Sequence, residues 1–416
     1  MNGKQNVKTV YQQEPTVLSG GKTAEKTAAK RKGNAYDYPL LLAVIFLFAF
    51  GLLVIYSGSR YVAQIEMNNA TYYFNRQLKI GGAGLVLAII LSKLNYRYLK
   101  LALFWVGAYA LALILPAVTL VIGAASHGKT RWLTFLEASF QPAEVAKIGL
   151  IVSLSVILSE AGNRLKYKGF FWVIFIMGLV PGLLIFFENL SSGFIVMFIV
   201  AVLMFAASNR WKLFAGAAAG GIGLFAAAKP LVRLVVEKRN YTDVPTRYWL
   251  RRILAWALPE QYAADSFQTT QGLYAIGSGG MFGRGLGESI QKFGKIPEVQ
   301  NDMIFTVICE EFGFIGAATV ILVYILILVR IYTVAKNCRD LLGKLLCCGV
   351  MAHIGIQVIL NIAVVTGVFP NTGVTLPFIS YGGTAILCTM AEIGIVLSVS
   401  NQNHRDLPPV SPERKG

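Results

Sequence analysis

The stretch P-N-T-G-V-T-L-P-F-I-S-Y-G-G-T, residues 370–384, interrupts a chain that is otherwise dominated by long apolar segments. Its two prolines and three glycines prevent it from forming an unbroken helix that faces lipid. Inside a bilayer, backbone groups that are not paired within a helix must be buried in protein or line a wet cavity. The stretch therefore predicts a shaped cavity near one face of a membrane protein.

Composition indicates a polytopic membrane protein. Of 416 residues, 55% are hydrophobic and only 14% are charged, whereas soluble domains carry roughly 25% charged residues. The net charge of +17 fits basic loops on one membrane face and an anionic lipid substrate better than nucleic acid, because the chain has no basic helix or aromatic-basic module. The five cysteines form no C-x-x-C pair, so neither disulfides nor zinc are indicated.

The chain divides into two polar tails and a central membrane domain. Residues 1–37 are basic and lack an apolar core, which predicts a disordered cytoplasmic tail rather than a signal peptide. Residues 401–416 predict a second cytoplasmic tail. Residues 38–400 predict an all-α polytopic domain of ten transmembrane helices, each roughly 20 residues long. The predicted spans are 38–57, 78–94, 99–122, 142–160, 170–187, 192–208, 212–228, 303–329, 343–367 and 378–400.

Charge on the short loops predicts the orientation of these spans. With ten spans, the basic residues that flank them fall on one side, which places both termini in the cytoplasm. The opposite side then holds the large extracytoplasmic loop 229–302, between spans 7 and 8. A loop of this length is usually functional. The chain has no internal repeat, which weighs against an inverted-repeat transporter.

Asp302 lies where this long loop meets the eighth predicted span, in K-I-P-E-V-Q-N-D-M-I-F. From position alone, two roles stay open: a carboxylate that favours the positive end of the helix, or a general base at the membrane surface. Glu310 and Glu311 lie about two turns deeper. Buried carboxylates at such a depth belong either to a structural ion pair or to a polar cavity.

Charged residues also border the third and fourth predicted spans. Lys129 and Arg131 lie beside Trp132, where they either neutralise a lipid phosphate or stay solvated. Glu144 and Lys147, in Q-P-A-E-V-A-K, are spaced i, i+3 and so can pair on one helix face. That pair is either structural or part of a polar pocket beside the substrate.

The long loop carries a basic cluster and a glycine-rich run. The cluster attracts an anionic headgroup or snorkels at the interface; it consists of Arg233, Lys238, Arg239, Arg247, Arg251 and Arg252. The run G-S-G-G-M-F-G-R-G-L-G, residues 277–287, follows no strand, so it does not indicate a nucleotide site and predicts flexible backbone instead. The three histidines are far apart, so an enzyme here would depend on one carboxylate and on electrostatics.

Three blocks of sequence, in this order, resemble the SEDS family (shape, elongation, division and sporulation), whose best-known members are FtsW and RodA. They are R-W…Q-P-A-E-V-A-K at 131–147, the run from R-R-I-L-A-W at 251 to F-G-F-I-G at 316, and the stretch at 370–384. The wording N-T-G-V-T-L-P-F is more similar to the division branch than to the elongation branch. Asn189 and Ser191 depart from the family, which often has P-D-x-G-T there.

The resemblance implies a peptidoglycan glycosyltransferase of the bacterial inner membrane that polymerises lipid II outside the cytoplasm during septal wall synthesis. The family's essential acidic motif matches N-D-M-I-F at 301–305, so Asp302 becomes the expected general base. Lys129, Arg131, Arg252 or a bound divalent cation (Mg²⁺ or Mn²⁺) is expected to stabilise the leaving pyrophosphate. The substrate-binding candidates are Lys129, Arg131, Glu144, Lys147, Arg252, Glu298, Ser380, Tyr381, Gly382 and Gly383.

The resemblance also implies partners. It indicates lipid II as substrate, a class B penicillin-binding protein as the transpeptidase partner, other division proteins, and the membrane. Two alternatives stay open. One is a flippase or transporter for lipid II, which the polytopic fold and the broken segment favour. The other is a noncatalytic division scaffold whose tails make the contacts.

Overall fold

The computed structural model describes residues 36–405 except 123, 127–128, 136–137, 209, 240–247 and 292–295. Within this part the chain forms twelve α-helices and three short antiparallel strands in the order β1-β2-β3. The helices are α1 Tyr38–Met67, α2 Tyr72–Lys93, α3 Ala102–Ile122, α4 Pro142–Ala161, α5 Lys168–Glu188, α6 Leu190–Ala207, α7 Trp211–Arg239, α8 Tyr248–Ala257, α9 Ala263–Gly279, α10 Ile304–Asn337, α11 Leu341–Val365 and α12 Gly383–Arg405. The strands are β1 Ala124–Ser126, β2 Lys129–Phe135 and β3 Ala138–Phe140.

Ten of these helices are long and apolar enough to cross a membrane, which confirms the predicted all-α fold and span count. The other two, α8 and α9, lie between the seventh and eighth spans. The seventh span is longer than predicted, because α7 continues to Arg239. Asn189 alone joins the fifth and sixth spans, and its side chain caps α6 by accepting from the Ser191 N–H at 3.2 Å.

The centre of the molecule is formed by α4, α11 and α12. In the most apolar parts of α4 and α12, 78% of the residues are buried, against 6% in α7. Small residues permit this packing: a methyl group added at Gly394 of α12 would lie 2.8 Å from the carbonyl oxygen of Ala88 in α2. The seventh span therefore stands outside the packed core.

The stretch at 370–384 is buried in protein, as predicted, and residues 366–382 form no helix. Its backbone passes so close to α1 that a methyl group at Gly51 would lie 2.7 Å from the Cα atom of Ile379. The Tyr324 hydroxyl of α10 donates to the carbonyl of Pro377. The predicted start of the tenth span at 378 is wrong, since Phe378 has a φ of 66° and the helix begins at Gly383.

A second interruption lies inside α10. Gly313 has φ 66° and ψ −164°, a conformation that is essentially restricted to glycine, and it breaks the helix. The glycine-rich segment 280–285 pairs with the groups that the break frees, so the expectation of flexible backbone is wrong for these residues. The four N–H to carbonyl bonds are Arg284 to Glu310 at 2.9 Å, Gly285 to Glu311 at 3.0 Å, Phe314 to Gly280 at 2.9 Å and Ile315 to Met281 at 3.2 Å.

The two carboxylates beside this break accept hydrogen bonds. Glu310 accepts from the hydroxyl of Ser289 at 2.5 Å and from the N–H of Ile290 at 3.0 Å. Glu311 accepts from the hydroxyl of Ser57 in α1 at 2.6 Å. Glu310 therefore fastens the glycine-rich segment to α10, and Glu311 fastens α10 to α1.

We expect Gly313→Ala to destabilise the fold. A non-glycine residue in this conformation costs about 1–3 kcal/mol, and the new methyl group would lie 2.3 Å from the backbone nitrogen of Gly283. The thermal unfolding midpoint in detergent should fall. Gly216→Ala is the control, because the space around Gly216 is open. An unchanged midpoint for Gly313→Ala would contradict the kinked geometry.

We expect Glu310→Ala to loosen residues 278–291. Its removal breaks the hydrogen bonds that its carboxylate accepts from Ser289 and Ile290, and a hydrogen bond to a charged group is worth about 1.5–3 kcal/mol. Hydrogen–deuterium exchange in this segment should accelerate. Glu160→Ala serves as the control, since its pair with Lys100 at 2.7 Å lies on the surface and contributes little. Equal exchange in both variants would refute the fastening role.

Candidate active site

Asp302 lies just before α10 and is only 7% exposed to solvent. The N-cap of α10 is Met303, with no side-chain capping bond, and the first turn of the helix contains no acidic residue. The residue at the N-cap position is therefore not Asp302. A favourable charge at the positive end of the helix needs no capping bond, so both roles that position alone left open stay predictions.

A chain of amide side chains leads to this carboxylate. Gln268 of α9 donates from Nε2 to the carbonyl of Pro297 at 2.9 Å, and the same nitrogen lies 3.5 Å from Oδ1 of Asp302. Asn371 donates to Oε1 of Gln268 at 2.7 Å. Arg252 of α8 donates to the carbonyl of Asn371 at 2.8 Å. These contacts bring α8, α9 and the stretch at 370–384 together around Asp302.

Asn361 of α11 fixes the backbone at the same point. Its Nδ2 donates to the carbonyl of Asp302 at 2.8 Å and to the carbonyl of Val374 at 2.7 Å. One side chain thus joins the loop end that carries Asp302 to the interrupted stretch. Sequence reasoning missed Gln268, Asn361 and Asn371. The available signal for Asn361 was the spacing of His353, Gln357 and Asn361, which puts three polar residues on one face of an otherwise apolar helix.

The substrate-binding candidates from the stretch at 370–384 mainly take part in hydrogen bonds that fix the backbone. The hydroxyl of Ser380 accepts from the N–H of Leu376 at 2.7 Å. Gln77 of α2 donates to the carbonyl of Ser380 at 3.0 Å and accepts from the N–H of Gly382 at 3.3 Å. Gly383 begins α12. These contacts are structural, and substrate binding by Ser380, Gly382 or Gly383 stays a prediction.

Tyr381 and Glu298 both lie near Tyr73 of α2. The N–H of Tyr381 donates to the carbonyl of Gln300 at 2.9 Å, and its ring packs edge-on against Tyr73, with centroids 4.9 Å apart. Burial raises the pKa of the Tyr381 phenol, so it stays a neutral donor at physiological pH. Glu298 is exposed and accepts from the side chain of Asn301.

Glu144 and Lys147 form the predicted ion pair. Their charged atoms are 2.8 Å apart and both side chains are buried. Lys147 also donates to Oε1 of Gln357 at 3.2 Å, and Gln357 donates to the carbonyl of Thr375 at 3.0 Å. The pair is therefore connected to the interrupted stretch through α11. Breaking such a buried pair by removing one partner is strongly destabilising.

The described arginines of the basic cluster have different partners. Arg251 pairs with Asp265 at 2.8 Å, and Arg233 donates to the carbonyl of Ala257 at 3.1 Å. Within the cluster, Arg252 is joined to the chain that leads to Asp302. The side chains of Arg239 and Arg247 lie outside the described residues. The same holds for the side chains of Lys129 and Arg131, although the backbone of both residues belongs to β2.

Metal binding depends on what the substrate contributes. In the described part of the chain, no three His, Cys, Asp or Glu side chains are close enough together to hold an ion. Mg²⁺ commonly uses one or two carboxylates together with substrate phosphates. Asp302 fits the single-carboxylate role, so a cation shared with a pyrophosphate is compatible with these residues.

The sequence matches known proteins over nearly its whole length. A family model described as "Cell cycle protein", which groups FtsW, RodA and SpoVE, matches residues 38–405. The "Probable peptidoglycan glycosyltransferase FtsW" of Trichlorobacter lovleyi is 32% identical over 372 residues, which cover 88% of this chain and 93% of that protein. "Stage V sporulation protein E" of Bacillus subtilis is 32% identical over 383 residues, which cover 89% of this chain and 98% of that protein.

Solved structures share the fold. The Rod shape determining protein RodA of Thermus thermophilus matches with a TM-score of 0.63 and 27% identity, over 91% of this chain and 99% of that one. A chain from "Structural coordination of polymerization and crosslinking by a peptidoglycan synthase complex" matches with a TM-score of 0.69 and 27% identity, over 89% of this chain and 99% of that one. The chain therefore belongs to the SEDS family of cell cycle proteins, which comprises FtsW, RodA and SpoVE.

Proposed function

We propose that this protein is a peptidoglycan glycosyltransferase that polymerises lipid II into glycan strands during septal wall synthesis. The observation that carries the proposal is Asp302, a largely buried carboxylate that Gln268 approaches and Asn361 anchors through its backbone. The names of the FtsW relatives support the activity, and the description of the family as a cell cycle protein supports the link to division.

Asp302 acts as the general base in the proposed reaction. Its carboxylate takes the proton from the 4-hydroxyl of the acceptor GlcNAc as that oxygen attacks C1 of the donor MurNAc. The new glycosidic bond forms on the face opposite the leaving group, so the configuration at C1 inverts. The bond between C1 and the phosphate oxygen breaks, and undecaprenyl pyrophosphate leaves with the electron pair. General-base assistance of this kind contributes about 10²–10⁴-fold.

The leaving pyrophosphate needs positive charge as its bond breaks. Arg252 is the described cation that the amide chain connects to Asp302. Lys129 and Arg131 are the other proposed contributors. A divalent cation, when bound, would neutralise the same developing charge.

Buried acceptors on Asn361 and Asn371, which are joined to Asp302, and on the neighbouring Thr372 support recognition of a sugar. Among the described residues, Oδ1 of Asn361, Oδ1 of Asn371 and Oγ1 of Thr372 are buried and have no hydrogen-bond partner. Buried polar atoms in this condition are costly. The hydroxyl and acetamide N–H groups of the two sugar rings would supply the donors that these oxygens lack.

Placement and partners complete the proposal. The basic residues that flank the ten spans fall on one side of the membrane, which favours cytoplasmic termini and a reaction outside the inner membrane. A class B penicillin-binding protein is the proposed transpeptidase partner, supported by the likeness to a chain of a peptidoglycan synthase complex. The buried pairs Glu144–Lys147 and His353–Glu392 inside the spans favour lipid II translocation as the second candidate function.

We expect Asp302→Asn to lose about 10²–10⁴-fold in lipid II polymerisation while keeping its thermal midpoint. The assay uses the purified full chain together with a transpeptidase-inactive partner, so that only glycan strands are scored. Glu288→Gln, an exposed carboxylate of the same inter-span segment, should polymerise like wild type. Equal strand formation by Asp302→Asn would remove Asp302 from the mechanism. Absence of strands from every form would favour translocation, measured next in vesicles.

We expect Gln268→Leu to lower kcat about 10–100-fold with little change in KM, because a lost hydrogen bond to a charged group is worth about 1.5–3 kcal/mol. The steady-state rate is measured over a range of lipid II concentrations. Gln261→Leu, exposed and outside the amide chain, is the control. A raised KM with normal kcat would instead assign Gln268 to uniform substrate binding.

A further inference from the structure

A cleft of about 520 Å³ lies where α5 and α7 begin. Because these are the fifth and seventh spans and Asp302 precedes the eighth, the cleft lies on the opposite membrane face from Asp302. Its lining residues are Lys168, Trp172, Arg210, Trp211, Lys212 and Leu213. None of the functions described above uses this cleft.

The charge around the cleft is of one sign. Three of the six lining residues are cationic and none is acidic. Lys168 is the first residue of α5 and Lys212 is the second of α7, and neither helix has an acidic residue in its first turn. Helix N-termini carry partial positive charge and favour anions, so lysines there are locally unfavourable. Both lysines line the same cleft, and a bound anion would offset the cost at both helices.

Arg210 is held in place at this cleft. Its guanidinium carbon lies 4.4 Å from the ring centroid of Phe171, which is 1% exposed. Its Nη2 donates to the carbonyl of Leu165 at 3.3 Å. The planar fork of arginine matches phosphate oxygens, and less entropy is lost on binding when the group is already ordered. The stacking on Phe171 thus presents an oriented phosphate donor.

The flanks of the cleft are apolar and exposed. Trp172 and Trp211 are 48% and 59% exposed, as expected for tryptophans at a membrane interface. Farther along α5, Val173 and Ile176 are 53% and 51% exposed. A ligand that fits both the cationic centre and these flanks has a phosphate head and hydrocarbon chains.

We propose that this cleft binds the phosphate of an anionic glycerophospholipid in the adjacent leaflet. Lys168, Arg210 and Lys212 contact the phosphate oxygens, and the acyl chains cover the exposed faces of α5 and α7. Free phosphate shares the headgroup chemistry. The lipid is favoured because α7, with 6% of its apolar window buried, leaves hydrocarbon surface that a free ion would not cover. The proposal does not depend on the glycosyl transfer.

The test uses the purified full chain in detergent. Binding of phosphatidylglycerol is titrated by native mass spectrometry and by the rise in thermal midpoint, with phosphatidylcholine and inorganic phosphate as separate arms. Lys168→Gln/Lys212→Gln is compared with Lys336→Gln/Lys344→Gln, which removes the same charge from exposed positions on the same face. We expect the cleft variant to bind phosphatidylglycerol about 10–30-fold more weakly, and the control variant to bind like wild type.

Three results would overturn the proposal. Equal weakening in both double variants would indicate a general charge effect rather than a site. Equal binding of phosphatidylcholine by wild type would remove the requirement for an anionic headgroup. Stabilisation by inorganic phosphate alone, at the lipid's concentration, would assign the cleft to a free anion.

Arg210→Lys separates charge from geometry, since it keeps the cation and should still bind more weakly than wild type.

Discussion

A chain in hydrocarbon must satisfy its backbone polar groups within the protein, and both breaks in the helices of this molecule obey that constraint. At Gly313 the partners are backbone groups of residues 280–285. At 366–382 they are mostly side chains that reach in from neighbouring helices. The partners in both cases are distant in sequence. The hydrogen bonds at the two breaks therefore connect the segment between spans 7 and 8 to the last three spans.

At residues 366–382, amide and hydroxyl side chains of apolar helices form most of the hydrogen bonds to the non-helical backbone. Gln77, Gln357 and Asn361 each donate to a carbonyl of the interrupted stretch, as does Tyr324. Each of these side chains is buried, and a buried donor that lost its partner would cost about 1–3 kcal/mol. Asn361 holds the carbonyl of Asp302 with the same amide group. The position of the proposed base is therefore set by the packed core.

Packing is uneven across the molecule. The spans that hold the interrupted stretch are largely buried, with 78% in α12 and 67% in α11, whereas α7 has 6%. Elements with few buried contacts open most readily. The proposed lipid cleft lies at the start of this loosely packed span. The proposed lipid cleft and the proposed catalytic region thus lie in the least and the most tightly packed parts of the described spans.

The sequence by itself determined the ten spans, the interruption at 370–384 and the pairing of Glu144 with Lys147, because these depend on composition and on spacing within one helix. The family motif at 301–305 is what led to Asp302 as the proposed base. Only the tertiary structure shows where α8 and α9 lie. It also shows that the glycine-rich run is hydrogen-bonded to α10 and that Gln268 and Asn361 contact Asp302. Those contacts join residues that are 34 and 59 positions apart in the sequence. The hydrogen bond from Gln77 to Ser380 joins residues that are 303 positions apart. No local pattern encodes such pairings, since each depends on how separate helices pack together.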